Sequence, residues 1–412
     1  MQYQLRHLRT EITWDILART RDTAAGRKEK PVRDNEFGRR RLLGLLGAAG
    51  VGVAVTTGTT RPGTAGAATG TRAFLGSYTS SGAGGSGIGV AAVDPRTGRL
   101  TVETVVDVAD PSFLAMSPDR RYLYAVNEGS GAGTATAVDV RSSRPTVLNT
   151  VAVQGEGPTH LCVTPDGRYV LTANYTSGSV SVLAVADGGR LGAVTDVVQH
   201  TGTGPDPDRQ SAPHAHQVSI DPSGRWVLVV DLGVDSIYVY RLADGKLHRH
   251  AQAAMTPGSG PRHLAFHPNG RTVFLANELN STVTVCEWQA ERGELRAGLS
   301  LPADLNGGGD RNYPSAPVVA KDGRFLYLAN RGHDNVATFA VLGGGFLAPL
   351  GTTPCGGKFP RDLTLSPDGR RLYAANQKSN SVTCLNLDPF TGLPAAPSAS
   401  FEVPAATCVL FE

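Results

Sequence analysis

The apolar positions of this chain fall into short runs of four to six residues, cut by turn residues and repeated at intervals far too regular for chance. One unit recurs six times: an apolar strand, Pro-Asp-Gly-Arg or a relative, a second apolar strand closed by Asn or Asp, a polar turn, and a third alternating strand. The copies read LAMSPDRRYLYAVNE, LCVTPDGRYVLTANY, VSIDPSGRWVLVVDL, LAFHPNGRTVFLANE, VVAKDGRFLYLANR and LTLSPDGRRLYAANQ. The closing residues are Asn127, Asn174, Asp231, Asn277, Asn330 and Asn376, separated by 47, 57, 46, 53 and 46 residues. The turn has a mechanism: Pro presets φ, Asp or Asn bonds its own backbone, and Gly supplies positive φ. Runs rich in Val, Leu and Tyr with period two are strands, and Pro and Gly at every turn exclude a helical repeat of similar length. Units of roughly 40–50 residues with three or four strands each predict the blades of a β-propeller.

Six units are complete, opening near Pro111, Pro158, Pro213, Pro261, Pro314 and Pro360. Ahead of them, Ala73 to Val105 holds the later strands of a blade but no Pro-Asp-Gly strand. Behind them, Thr407 to Phe411 is one orphan strand. Pairing the orphan into the first blade removes two open sheet edges. The expectation is an all-β, seven-bladed propeller over 68–412, one domain closed by its C-terminal strand.

Charge changes the picture of the first 67 residues only. They hold 12 of the 39 Lys and Arg and 6 of the 36 Asp and Glu, leaving 27 basic and 30 acidic residues for the rest. The formal +3 of the chain is therefore a property of the leader. Nothing in the propeller asks for nucleic acid. Arg39-Arg40-Arg41-Leu42-Leu43, the short small-residue stretch Gly44 to Val55 and Ala65-Gly66-Ala67 read as a twin-arginine export signal with a cleavage site. The apolar part is too short to span a bilayer. The expected mature protein is exported and has no stable membrane association; residues 1–36 read as the product of an upstream start codon. Five widely spaced cysteines, with no Cys-x-x-Cys, predict buried strand residues rather than metal or redox chemistry.

In a propeller the inner strands open at one mouth of the central channel. Here the openings read Pro111-Ser112-Phe113, Pro158-Thr159-His160, Pro213-His214-Ala215-His216, Pro261-Arg262-His263, Pro314-Ser315-Ala316 and Pro360-Arg361-Asp362. His160, His214, His216, Arg262, His263, Arg361 and Asp362 should converge, the two histidines of the fourth unit sharing a side by period two. Glu278 and Arg331 occupy equivalent places after a second strand, where other units carry Glu128, Tyr175, Leu232 and Gln377. Two connections are lengthened, at 200–212 and 302–313, and read as solvated connectors. With no coiled coil or long exposed apolar segment, a monomer is expected.

GPRHLAFHPNGRTVFLANELNSTVTV, PHAHQVSIDPSGRWVLVVDLGVDSIYVYRL, LANRGHDNVATFAV and FPRDLTLSPDGRRLYAANQ together resemble the bacterial lactonase family of seven-bladed propellers, which includes 6-phosphogluconolactonases. The resemblance runs from about Phe74 to Phe411 and extends to fungal carboxymuconate-lactonizing enzymes. It implies hydrolysis of a sugar-derived or carboxylate-bearing lactone without a cofactor, with His214, Arg262, Glu278 and Arg331 as catalytic residues. His160, His216, His263, Arg361 and Asp362 would bind substrate. The family pattern has a Glu where this chain has Ala316, which leaves open a non-catalytic propeller that binds a ligand or protein at its mouth. The absence of Gly-x-Ser-x-Gly disfavours a serine hydrolase. The expected chemistry is water activated by Glu278 or His214, with arginines stabilising the oxyanion. Openings rich in His and Arg rather than acids predict no obligatory calcium.

Overall fold

The computed structural model describes residues 71–129, 131–305 and 311–412. The leader expected at 1–67 lies outside the described residues. The strands form seven four-stranded antiparallel sheets, each a blade. Blade one combines Arg72–Ser77, Ile88–Val93 and Leu100–Val106 with the C-terminal strand Ala406–Phe411. Blades two to seven follow in chain order over 111–156, 158–199, 215–254, 261–302, 313–354 and 360–402. Their inner strands open at Pro111, Pro158, Ala215, Pro261, Tyr313 and Pro360, and each touches the inner strand of the next blade around the ring.

Closure is as expected. Ala73 pairs with Phe411, Phe74 with Leu410 and Leu75 with Val409. Arg72 clamps Glu412 through two bonds, Nε–Oε2 at 2.6 Å and Nη2–Oε1 at 2.7 Å. The first and last strands of the described residues are thereby one sheet.

Why the second strand of each blade is an unbroken apolar run follows from period two applied between two neighbours. In Tyr122–Asn127, Tyr122, Tyr124 and Val126 pack toward blade three, while Leu123 and Ala125 pack toward blade one. Both faces are buried, so no alternation survives in the sequence. Seven apolar clusters result among the described residues, one at each blade–blade interface. Aromatic tips join the same interfaces by hydrogen bonds. Tyr124 donates to Gly189 O at 3.0 Å, Tyr327 to Gly392 O at 3.0 Å and Tyr373 to Gly98 O at 2.7 Å.

The Pro-Asp-Gly turns behave as their chemistry dictates. Asp166 Oδ1 accepts from Thr164 Oγ1 and Arg168 N at 2.6 and 3.0 Å, and Gly167 sits at φ +71°. Blade two has Arg120 at that turn position, at φ +58°. All five cysteines are free thiols; Cys286, Cys355, Cys384 and Cys408 are buried, and Cys355 lies just past a strand end rather than in one.

Candidate active site

Every inner strand carries a register shift within its first residues. In blade five, for example, Pro261 pairs with Asn277 and His263 with Ala276, leaving Arg262 unpaired between them. A bulge of this kind re-aims the extra residue. Residues in that place are Thr407, Ser112, Thr159, His216, Arg262, Ser315 and Arg361. In blade four it is Ala215, not Pro213, that pairs with the closing residue Asp231. His216 is therefore the structural counterpart of Arg262, and His214 stands just outside the strand.

One layer of the site fills the channel. His160 stacks on Phe113 at 4.0 Å, His263 meets His160 edge-on at 5.2 Å, and His216 meets His263 at 5.0 Å. All three imidazoles are buried. Burial first, then the Arg262 charge, pushes His160 down to about 3 and holds His216 and His263 well below the ordinary histidine value. They are neutral rings.

A second layer is ionic. Glu278, only 4% exposed, faces three guanidinium groups. Its Oε1 accepts from Arg209 Nη2 at 2.7 Å, and its Oε2 accepts from Arg331 Nη2. Arg262 Nε lies 3.2 Å from the same Oε2 as an ion pair without hydrogen-bond alignment. Burial alone would raise the Glu278 pKa, but Arg331, Arg262 and Arg209 hold it far below the usual carboxylate range. The arginines are anchored in turn: Arg262 Nη1 donates to Ser315 O at 3.0 Å and Arg331 Nε to Tyr313 O at 3.1 Å. Across the channel, Arg361 donates to both oxygens of Glu128 at 3.1 and 3.2 Å and lies over the Tyr78 ring, whose hydroxyl also donates to Glu128 at 2.7 Å. Half-buried Asp362 is raised by burial to about 7 and accepts only a long bond from Val409 N, at 3.4 Å.

His214 is fixed from two directions. Its ring stacks on Tyr175 at 4.4 Å, and Nδ1 lies 2.9 Å from Tyr175 O. A carbonyl only accepts, so Nδ1 is the donor and Nε2 is the nitrogen left for other partners. Its backbone N donates to Asp231 Oδ1 at 2.8 Å. Asp231 Oδ2 accepts from buried His200 Nδ1 at 2.6 Å, and His200 Nε2 lies 2.9 Å from Tyr240 OH. The other five full units close this strand with Asn, whose Nδ2 donates to hydroxyl or carbonyl oxygens, as in Asn174 to Ser181 and Asn330 to Ala303. Blade four needs acceptors only, facing a ring N–H and two backbone N–H groups, and Asp supplies them.

Among the expected site residues, Arg262, Glu278 and Arg331 form one ionic cluster, to which His214 is joined through Tyr175, whose hydroxyl accepts from Arg209. Arg361 pairs with Glu128, and Asp362 follows it on the same strand. His160, His216 and His263 pack ring against ring, His216 also meeting Tyr175 at 5.5 Å. The 200–212 connection is not the inert connector expected from its composition: it delivers Arg209 to Glu278, and that residue was missed. Tyr78, Glu128 and Tyr175 were missed as site residues although they occupy the same post-strand position as Glu278, a signal legible in the alignment of units. Phe359 was missed too. The residue before an inner strand has positive φ, as Gly157 and Gly260 do at +56°, yet Phe359 sits at +62° with its ring 5.2 Å from the Arg331 guanidinium. A bulky residue there costs about 1–2 kcal/mol. A groove of about 920 Å³ opens elsewhere, on the outer rim between blades five and six beside Arg296, Leu299 and Phe346. It is lined by the outer parts of blade five and the 344–347 turn of blade six, and none of these groups lines it.

Residues 72–411 match the family described as lactonase, 7-bladed beta-propeller. The 6-phosphogluconolactonase of Bacillus subtilis is 34% identical over 345 residues, covering 82% of this chain and 97% of the relative. The solved periplasmic gluconolactonase of Pseudomonas aeruginosa superposes with a TM-score of 0.78 at 32% identity, over 83% of this chain and 98% of that one. A solved protein from Lactobacillus plantarum gives a TM-score of 0.78 at 31% identity, over 83% and 99%. With its ring closure, bulged openings and matched length, the chain belongs to the lactonase family of seven-bladed β-propellers.

Proposed function

We propose that this protein is a lactonase, a carboxylic ester hydrolase that opens the ring of a sugar-derived or carboxylate-bearing lactone. The observation that carries the reading is His214, whose Nδ1 bond to the Tyr175 carbonyl leaves Nε2 to act as base, while the Tyr175 hydroxyl joins it to the guanidinium cluster through Arg209. Glu278, paired with three arginines, is too weak a base for the task and acts by positioning them. His214 Nε2 takes a proton from water as the water oxygen attacks the lactone carbonyl carbon. Arg262 and Arg331 supply the positive field for the tetrahedral oxyanion. When the ring C–O bond breaks, the imidazolium returns its proton to the leaving alkoxide, releasing a hydroxy acid. The names of the Bacillus and Pseudomonas relatives support a gluconolactone-type substrate.

The test is ring opening of glucono-δ-lactone and 6-phosphogluconolactone, corrected for spontaneous hydrolysis, by wild type, His214→Ala and Arg262→Ala. Enzyme turnover that survives in both variants overturns the assignment. Ala316, in place of the family Glu, favours a second reading in which the mouth binds ligand without chemistry; binding with no turnover by the wild type would establish it. The leader adds the proposal that the protein works outside the cytoplasm, supported by the periplasmic relative. Replacing Arg39 and Arg40 by Lys should retain the protein inside the cell, and unchanged export would refute it.

A further inference from the structure

We infer that Arg209 is a substrate-binding residue that reads an anionic group on the ligand and sets the preference for charged over neutral lactones. This rests on the lactonase reading for its substrate class, but its physical basis is separate. Of the three guanidiniums around Glu278, Arg262 and Arg331 have side chains 2% and 6% exposed, while that of Arg209 is 32% exposed. The first two are tied to backbone carbonyls of blades. Arg209 is held only by side chains, its Nη2 donating to Glu278 Oε1 at 2.7 Å and Tyr175 OH at 3.2 Å. It is the one cation of the cluster free to turn toward solvent.

Its mounting fits that role. Asp206 Oδ1 accepts from Asp208 N and Arg209 N at 3.0 and 3.1 Å. Gln210 is buried, donates from Nε2 to Leu232 O at 2.8 Å, and returns Oε1 to Asp206 N at 3.1 Å. The backbone on either side of Arg209 is therefore fixed, and only its side chain is left to move. The charge balance points the same way. Arg209, Arg262, Arg331 and Arg361 face two paired carboxylates, Glu278 and Glu128. Half-buried Asp362, with burial raising its pKa to about 7, does not balance the excess. A phosphate or carboxylate on the ligand supplies the missing charge, and a guanidinium fork matches either. Glu278 keeps Arg262 and Arg331 when Arg209 turns away, so the exchange leaves no buried carboxylate unpaired.

The experiment compares wild type, Arg209→Gln and Arg209→Lys. Steady-state kinetics on 6-phosphogluconolactone and glucono-δ-lactone should show a loss of kcat/KM at least ten-fold greater for the phosphorylated substrate in Arg209→Gln, carried by KM, with partial recovery in Arg209→Lys. In parallel, calorimetry with 6-phosphogluconate and gluconate should show that wild type prefers the phosphorylated acid and Arg209→Gln does not. Losses matching within two-fold on both lactones overturn the inference, as does a 6-phosphogluconate affinity unchanged in Arg209→Gln or no tighter than gluconate in wild type. Absence of turnover in wild type, with Arg209-dependent binding intact, would instead sink the lactonase reading and leave the role of Arg209 standing.

Discussion

Each blade has two ends built from the same strands, and the two are used in opposite ways. At the turn end, the units repeat one solution with small changes: an Asx side chain (Asp119, Asp166, Asp221, Asn269, Asp322 or Asp368) accepts from the backbone that follows, and a residue at positive φ completes the turn. At the mouth end, the seven bulged positions hold Thr407, Ser112, Thr159, His216, Arg262, Ser315 and Arg361. Uniform chemistry marks where the repeat serves folding. Divergent chemistry marks where the ring is used, because convergence makes unlike side chains neighbours that no single blade could assemble.

The broadest way to break this contrast is acid. Below their ordinary value near 6.5 the three channel imidazoles protonate in the unfolded chain but stay neutral when folded, so stability is lost as pH falls. Asp362 works the other way: protonated in the fold below about 7, it offsets part of that loss as the pH falls. Urea melts should show a net loss of stability between pH 7 and 5, three imidazoles outweighing one carboxyl. Asp362→Asn should deepen it, because its stabilisation on acidification would vanish.

Next in size, His214→Ala should lower kcat/KM by about 10²–10⁴-fold with little change in melting temperature, read by lactone hydrolysis. Glu278→Ala should cost about 3–5 kcal/mol in chemical denaturation, since it strands buried Arg262 and Arg331. At the turn end, Gly167→Ala should cost about 1–2 kcal/mol through its positive φ and leave activity unchanged. The smallest and sharpest comparison pairs two relieved residues. Arg120→Gly should gain up to about 1 kcal/mol without touching turnover. Phe359→Gly relieves the same strain but removes the ring against Arg331, so stability rises or holds while turnover falls.

Strand boundaries, blade number and closure were legible because they follow from local rules: period-two burial, turn chemistry and an unpaired edge. Arg262 stood out at an inner-strand opening, and Glu278 and Arg331 at equivalent places after a second strand, whereas His214 came from the family resemblance. What misled was register. A one-dimensional alignment gives His160 and Arg361 similar places, yet Arg361 is the unpaired bulge residue of its strand while His160 is paired with Ala173 and stacks on Phe113. Blade four misaligned for a related reason: Ala215, not Pro213, opens its strand, with His214 pinned outside by Asp231.

The sequence by itself determined the propeller, its seven units and the blades that carry the chemistry, because each is decided by neighbours in the chain. Only the tertiary structure decided that Arg209, from a connection of unremarkable composition, completes the Glu278 cluster. It alone decided that Asp231, bonded to buried His200, holds the backbone of His214, and that three histidines from three blades pack ring against ring. These depend on distances between blades and on how much water remains around each group, and neither quantity is written in the local order of residues.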